Sequence, residues 1–116
     1  MRFLKKFFKG GKHYSVYVVR LDNKVKQFEK VFDLNRGRDL EKPCVYVGMT
    51  GLKVSERFKN HKNGHKSSSW VHKYGIALMP ALYEHLNPMT YKEAVKMEGD
   101  LAEDLRRRGY TVLGGH

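Results

Sequence analysis

The sequence predicts a small α+β domain in which a central antiparallel β-sheet is flanked by helices. Three observations carry this expectation. Two short runs, HYSVYVVR at residues 13 to 20 and PCVYVG at 43 to 48, are β-branched and aromatic and bounded by turn residues, the pattern of strands. Residues 90 to 108 carry a helical stripe of Ala94, Met97, Leu101, Ala102 and Leu105, opened by Thr90 and Glu93 at capping-box spacing and closed by Gly109. A length of 116 residues fits one hydrophobic core without disulfide or metal staples.

The elements follow in chain order. Phe3, Leu4, Phe7 and Phe8 recur at helical spacing among lysines, so residues 1 to 12 read as a basic amphipathic arm ended by Gly10 and Gly11. Residues 13 to 116 form the domain. Its first strand is followed by a polar segment, 22 to 42, with the turn-like NRGRD, which reads as an insertion in a hairpin; VKQFEKVF within it fits a helical turn or an extra strand pair. Pro43 opens the second strand, where a missing N–H is tolerated. A helix is expected from about Lys53 to Asn63, stopped by Gly64, with Val54 and Phe58 turned inward. Serines 67 to 69 can cap a second short helix holding Trp70, Val71 and Tyr74. IALMPALYEHL, residues 76 to 86, reads as a third strand with Pro80 at an edge or bulge, and YTVL after Gly109 as a last one.

Composition narrows the function. The formal charge of +11 is concentrated: residues 1 to 12 carry five basic and no acidic side chains, and residues 53 to 73 carry six basic, one acidic and three histidines. Residues 90 to 108 are balanced, five against five. Charge gathered in two segments is the footprint of a polyanion-binding surface, since each neutralised phosphate releases condensed counterions. No apolar run approaches the roughly 20 residues that span a bilayer, and MRFLKKFFKGGK is too short and too interrupted by lysine for a signal sequence, so no membrane insertion is expected. A lone cysteine, Cys44, fits a buried thiol in a reducing, cytoplasmic setting.

Several residues stand out as candidates for chemistry. Glu98 falls within the apolar stripe of the last helix, where an unpaired carboxylate is costly unless a cation shares the site; a border residue reaching water is the plainer alternative. Arg57 and His61, at i and i+4, share a helix face read as distinct from that of Phe58, and can converge on one anion. Two solvated side chains on a basic helix would look the same. His61 and His65 have the spacing of paired metal ligands, with no cysteine or third histidine beside them. Tyr17 and Tyr46 occupy the interiors of two strands that would pair, so both phenols can project from one sheet face, or serve simply as core aromatics.

In their order and spacing these residues resemble the GIY-YIG nuclease superfamily, whose two name-giving strand motifs look like Ser15-Val16-Tyr17 and Tyr46-Val47-Gly48. As in that family, the second strand is followed by a helix carrying an arginine, here Arg57 in SERFKNHK, and a later helix carries a glutamate, here Glu98. The resemblance covers residues 13 to 113. Tyr17 and Tyr46 are 29 residues apart, more than the family's usual short hairpin, which the insertion at 22 to 42 accounts for. Where the family often carries an asparagine near the last strand this chain reads LGGH, leaving backbone groups at Gly114 and Gly115 as substitutes.

The resemblance implies a divalent-metal-dependent DNA endonuclease, a phosphodiester hydrolase. Glu98 would hold one Mg2+ or Mn2+, Arg57 would neutralise the scissile phosphate, and Tyr17 would activate or orient the attacking water, helped by His61 and Tyr46. Tyr17 can act as a base only if nearby cations favour its ionised form. Gly48 is the strand-end position where a side chain would obstruct the site, and Lys53, Lys59, Lys62 and Lys66 are candidates for backbone contacts to nucleic acid. Duplex or branched DNA is the expected partner, cut with weak sequence specificity or by structure, with a protein partner as the possible source of specificity. The rival readings are a nucleic-acid-binding protein that keeps the fold without turnover, and an adaptor for anionic membranes using FLKKFFK.

Overall fold

The structure is a computed structural model and describes residues 11–116. The amphipathic arm expected at residues 1 to 12 falls almost wholly outside them. Strand β1, Ser15–Leu21, is antiparallel to β2, Cys44–Thr50, in an unbroken register from Ser15 opposite Thr50 to Leu21 opposite Cys44. Val16, Tyr17, Val18 and Val19 are all buried, so β1 is covered on both faces, and its successive β-branched residues are explained by that position. The sheet order is β3-β1-β2-β4.

Two sheet expectations change. Strand β3 is only Gly75–Leu78, not residues 76 to 86, because Pro80 starts a 3-10 turn, Pro80–Leu82, and a second turn follows at Glu84–Leu86. Proline has no N–H for the ladder and its fixed φ suits the first position of a helical turn. Strand β4, Thr111–Gly114, runs parallel to β2, so the sheet is mixed rather than antiparallel. The helix before it, α4 at Tyr91–Arg107, packs against both β2 and β4 and returns the chain in the direction of β2.

Asparagine amides cap one residue of open ladder on each side of the sheet. Beyond β3, Val16 N–H donates to Asn87 Oδ1 at 2.9 Å and Asn87 Nδ2 donates to Val16 O at 2.8 Å. On β4, Val112 N–H donates to buried Asn35 Oδ1 at 2.8 Å while Asn35 Nδ2 donates to Val112 O at 3.0 Å. Each side chain imitates a strand partner at that residue. Asn35 follows α1, Glu29–Leu34, and with the 3-10 turn Asn23–Gln27 this helix makes the 22 to 42 insertion helical; Val25 and Val31 anchor it in the core.

The remaining helices form close to where they are expected. Helix α2 is Val54–Lys62, and Gly64 follows at φ +79°. Helix α3 is Ser69–Tyr74 with Ser68 at its cap, but no serine oxygen bonds the helix end. In α4 the capping box is complete: Glu93 N–H donates to Thr90 Oγ1 at 3.1 Å and Thr90 N–H to Glu93 Oε1 at 2.9 Å. Gly109, at φ +94°, ends it. Cys44 is buried and free, its thiol pushed up to about 11 by burial. Among the described residues no helix is long and apolar enough to cross a membrane.

Candidate functional site

The β1–β2 register decides which side chains meet. Tyr17 is opposite Gly48 and Val19 is opposite Tyr46, so Tyr17, Tyr46 and Gly48 share one sheet face. The Tyr17 ring lies across β2 at Gly48: a Cβ there would stand 2.5 Å from Tyr17 Oη and 2.6 Å from Cζ. Glycine is required because the phenol occupies the space a side chain would fill. The expected obstruction is thus of Tyr17 itself.

Helix α2 delivers His61 to this face. His61 is fully buried, while Val54 and Phe58 are half-buried against the core, so the inward stripe is 54, 58 and 61. This corrects the expectation that the face of His61 is distinct from that of Phe58: a residue at i+3 from Phe58 and i+7 from Val54 turns inward with both, while Arg57, at i−4, still lies beside His61. The imidazole sits between the tyrosines, ring centroids 6.0 Å from Tyr17 and 5.8 Å from Tyr46. His65 lies exposed beyond the helix end, and both ring nitrogens of His61 are engaged, which removes the paired-ligand reading.

Those two bonds fix the tautomer. Ser68 N–H donates to His61 Nδ1 at 3.0 Å, so Nδ1 carries the lone pair and Nε2 carries the proton. Nε2 is 2.8 Å from Tyr17 Oη and therefore donates to it. The phenol oxygen is an acceptor in this pair, and the Tyr17 proton is left to face elsewhere. Burial, with the Arg57 charge second, lowers His61 to about 4. The imidazole is neutral at neutral pH.

Tyr17 is likewise held neutral. Burial raises its phenol well above the ordinary range and outweighs the opposing charge and hydrogen bonding of Arg57. The condition on which Tyr17 could act as a base, an ionised form favoured by nearby cations, is therefore not met in the free protein. Tyr46 is raised by burial too, with the Ser68 hydroxyl beside it and Arg57 opposing. Glu98, on α4, pushes both phenols upward by its charge as a lesser cause. Burial raises Glu98 itself, and His116 opposes that.

Arg57 is half-buried at the rim and donates through NH2 to Lys66 O at 2.9 Å, tying α2 to the loop before α3. Lys53, Lys59 and Lys66 are exposed around it. Lys62 differs: its Nζ donates to Gly75 O at 2.8 Å and His72 O at 3.2 Å, where it caps the end of α3 instead of standing free. Gly115 N–H donates to Val47 O at 2.9 Å, so that backbone donor is not a substitute for an asparagine.

Tyr17, Tyr46, Arg57 and His61 thus meet from β1, β2 and α2, and Glu98 of α4 acts on the two phenols through its charge. Two contributors were not legible: Ser68, read only as a cap, and His116, whose Nδ1 is 3.8 Å from Glu98 Oε1. Among the described residues no group of three or more His, Cys, Asp or Glu side chains is placed to hold an ion. A carboxylate that keeps 15 % exposure, bordered by an imidazole, fits a hard divalent ion that retains waters and takes phosphate oxygens. No family model matches the chain, and no curated protein or solved structure is significantly similar to it.

Proposed function

We propose that this chain is a divalent-metal-dependent DNA endonuclease of the GIY-YIG kind, cutting with weak sequence specificity or by DNA structure. The observation that carries the reading is the meeting of Tyr17, Tyr46, Arg57 and His61 from three separate elements on one sheet face, with the Glu98 charge felt by both phenols, in a chain of formal charge +11. A structural role alone accounts for the two tyrosines and His61. It does not account for setting a guanidinium against the buried phenol–imidazole pair.

In this reading Arg57 binds a non-bridging oxygen of the scissile phosphate, swinging its fork from the Lys66 carbonyl. Tyr17 acts as a neutral hydroxyl: its oxygen accepts from His61, and its own proton is free for a phosphate oxygen or the attacking water. His61 orients Tyr17 and, being neutral and donating through Nε2, does not take its proton. Tyr46 closes the opposite side of the imidazole. Glu98, with its charge at the site, is the residue that would hold Mg2+ or Mn2+, and such an ion supplies charge stabilisation to the leaving oxygen. Lys53, Lys59 and Lys66 contact the DNA backbone and read no sequence.

The test is incubation of the full chain with supercoiled plasmid across Mg2+ and Mn2+, with binding measured across salt. Nicking or linearisation that needs the ion is expected, with a log–log salt slope of about −0.9 per phosphate contacted. Salt-sensitive binding without cleavage at any ion concentration would leave a nonenzymatic DNA-binding protein. Binding unchanged between low and physiological salt would contradict both.

A further inference from the structure

Two left-handed glycines end the sheet, Gly114 as the last residue of β4 and Gly115 just after it. Gly114 and Gly115 both have φ +77°, a conformation that strains other residues. A Cβ on Gly115 would collide with Ala102 Cβ, and a Cβ on Gly99 would stand 2.7 Å from His116 Nε2. Together with the bond from Gly115 N–H to Val47 O, these glycines carry the chain from β4 across α4 at Gly99 and Ala102. Glycine inside a helix costs about 1 kcal/mol relative to alanine, and at Gly99 the compensation is a seat for the His116 ring. The route sets His116 Nδ1 3.8 Å from Glu98 Oε1.

We propose that His116 is a second protein ligand, beside Glu98, for the divalent ion, and that the pair selects Mn2+ or Co2+ over Mg2+. This rests on the reading of Glu98 as the metal-holding carboxylate. At 3.8 Å the two groups stand too far apart for a charge-assisted hydrogen bond, which would close to roughly 2.7–2.9 Å, and a closing movement of under about 1 Å brings them to the roughly 3.0 Å that separates adjacent ligands each about 2.1 Å from an octahedral ion. With Nε2 against Gly99, Nδ1 is the nitrogen that faces the carboxylate. Magnesium prefers an all-oxygen octahedron, and an imidazole in the set shifts affinity toward later first-row ions. Two protein ligands leave the remaining positions for water and phosphate oxygens, as a hydrolytic site requires.

The test is calorimetric titration of the full chain with MnCl2, CoCl2 and MgCl2, without DNA, for wild type, His116→Ala, His116→Asn and Glu98→Gln. His116→Asn keeps a polar group against Gly99 and serves if the alanine variant is unstable. Removing the imidazole is expected to weaken Co2+ and Mn2+ binding about tenfold or more and Mg2+ binding by less than about twofold. The Co2+ visible absorption spectrum should change between wild type and either His116 variant. Equal Co2+ affinity and equal spectra in wild type and His116→Ala overturn the role of His116. If Glu98→Gln has lost the ion in that case, only the His116 assignment fails; if Glu98→Gln binds as wild type does, the metal reading of Glu98 fails with it.

Discussion

Tyr17 Oη and His61 Nε2 lie 2.8 Å apart, and the imidazole is the donor because its other nitrogen accepts from Ser68 N–H. The pair is fully buried, so each group depends on the other. His61→Ala leaves two polar groups without partners, at about 1–3 kcal/mol each, and opens a cavity as well. His61→Gln retains a donor toward Tyr17 and should lose only about 1–3 kcal/mol. Urea denaturation of both variants checks this order.

Acid should act on the same residue. His61 is lowered by burial to about 4 from its ordinary 6.5, so the unfolded chain takes up a proton first as pH falls. Its contribution is complete above pH 6.5 and is lost between 6.5 and about 4, by up to roughly 3 kcal/mol. Carboxylates titrate in the same range, so the comparison is with His61→Gln: wild type should lose more stability than the variant between pH 7 and 5. Parallel stability curves would mean that His61 is not held neutral.

Gly48→Ala places a Cβ where the Tyr17 ring lies. The ring must move or the strands must part, at about 1–3 kcal/mol, and cleavage should be lost. Shortening the phenol relieves the conflict, so Gly48→Ala should cost less in a Tyr17→Ala background. Melts of the four proteins in this double-mutant cycle measure the coupling, and an additive result would contradict the contact.

Arg57→Lys keeps the charge and loses the planar fork. It should lower the cleavage rate about tenfold or more while changing DNA affinity by less than about threefold, because affinity is set by many phosphate contacts and turnover by one. Paired rate and binding measurements on one DNA substrate check the difference.

What the sequence made legible was local. The strands announce themselves in β-branched runs, and α4 in its complete capping box, because hydrogen bonds and side-chain period act over a few residues. The direction of β4 was not readable, since it depends on how α4 returns across the sheet. The end of β3 was misjudged because an apolar run gives the same signal for a strand as for two 3-10 turns packed on the core; Pro80 marked the break. At the site, Tyr17, Tyr46, Arg57, His61 and Glu98 were all named from sequence, yet His61 was separated from Phe58, because Val54, Phe58 and His61 make a stripe only if histidine is admitted to a core position. Ser68 escaped because it acts partly through its backbone, and His116 because Gly114 and Gly115 decide where it goes.

Glu98 is the residue on which the proposed metal chemistry depends. Glu98→Gln preserves volume and hydrogen bonding and deletes the charge that would hold the ion, so the fold should survive and DNA binding should persist or tighten. The deciding measurement is the plasmid cleavage rate of wild type and Glu98→Gln across a Mg2+ and Mn2+ titration. Loss of at least about a hundredfold, roughly 3 kcal/mol of transition-state stabilisation, is the result expected. Equal rates from an intact variant at every ion concentration would contradict the catalytic assignment and leave α2 as a binding surface only.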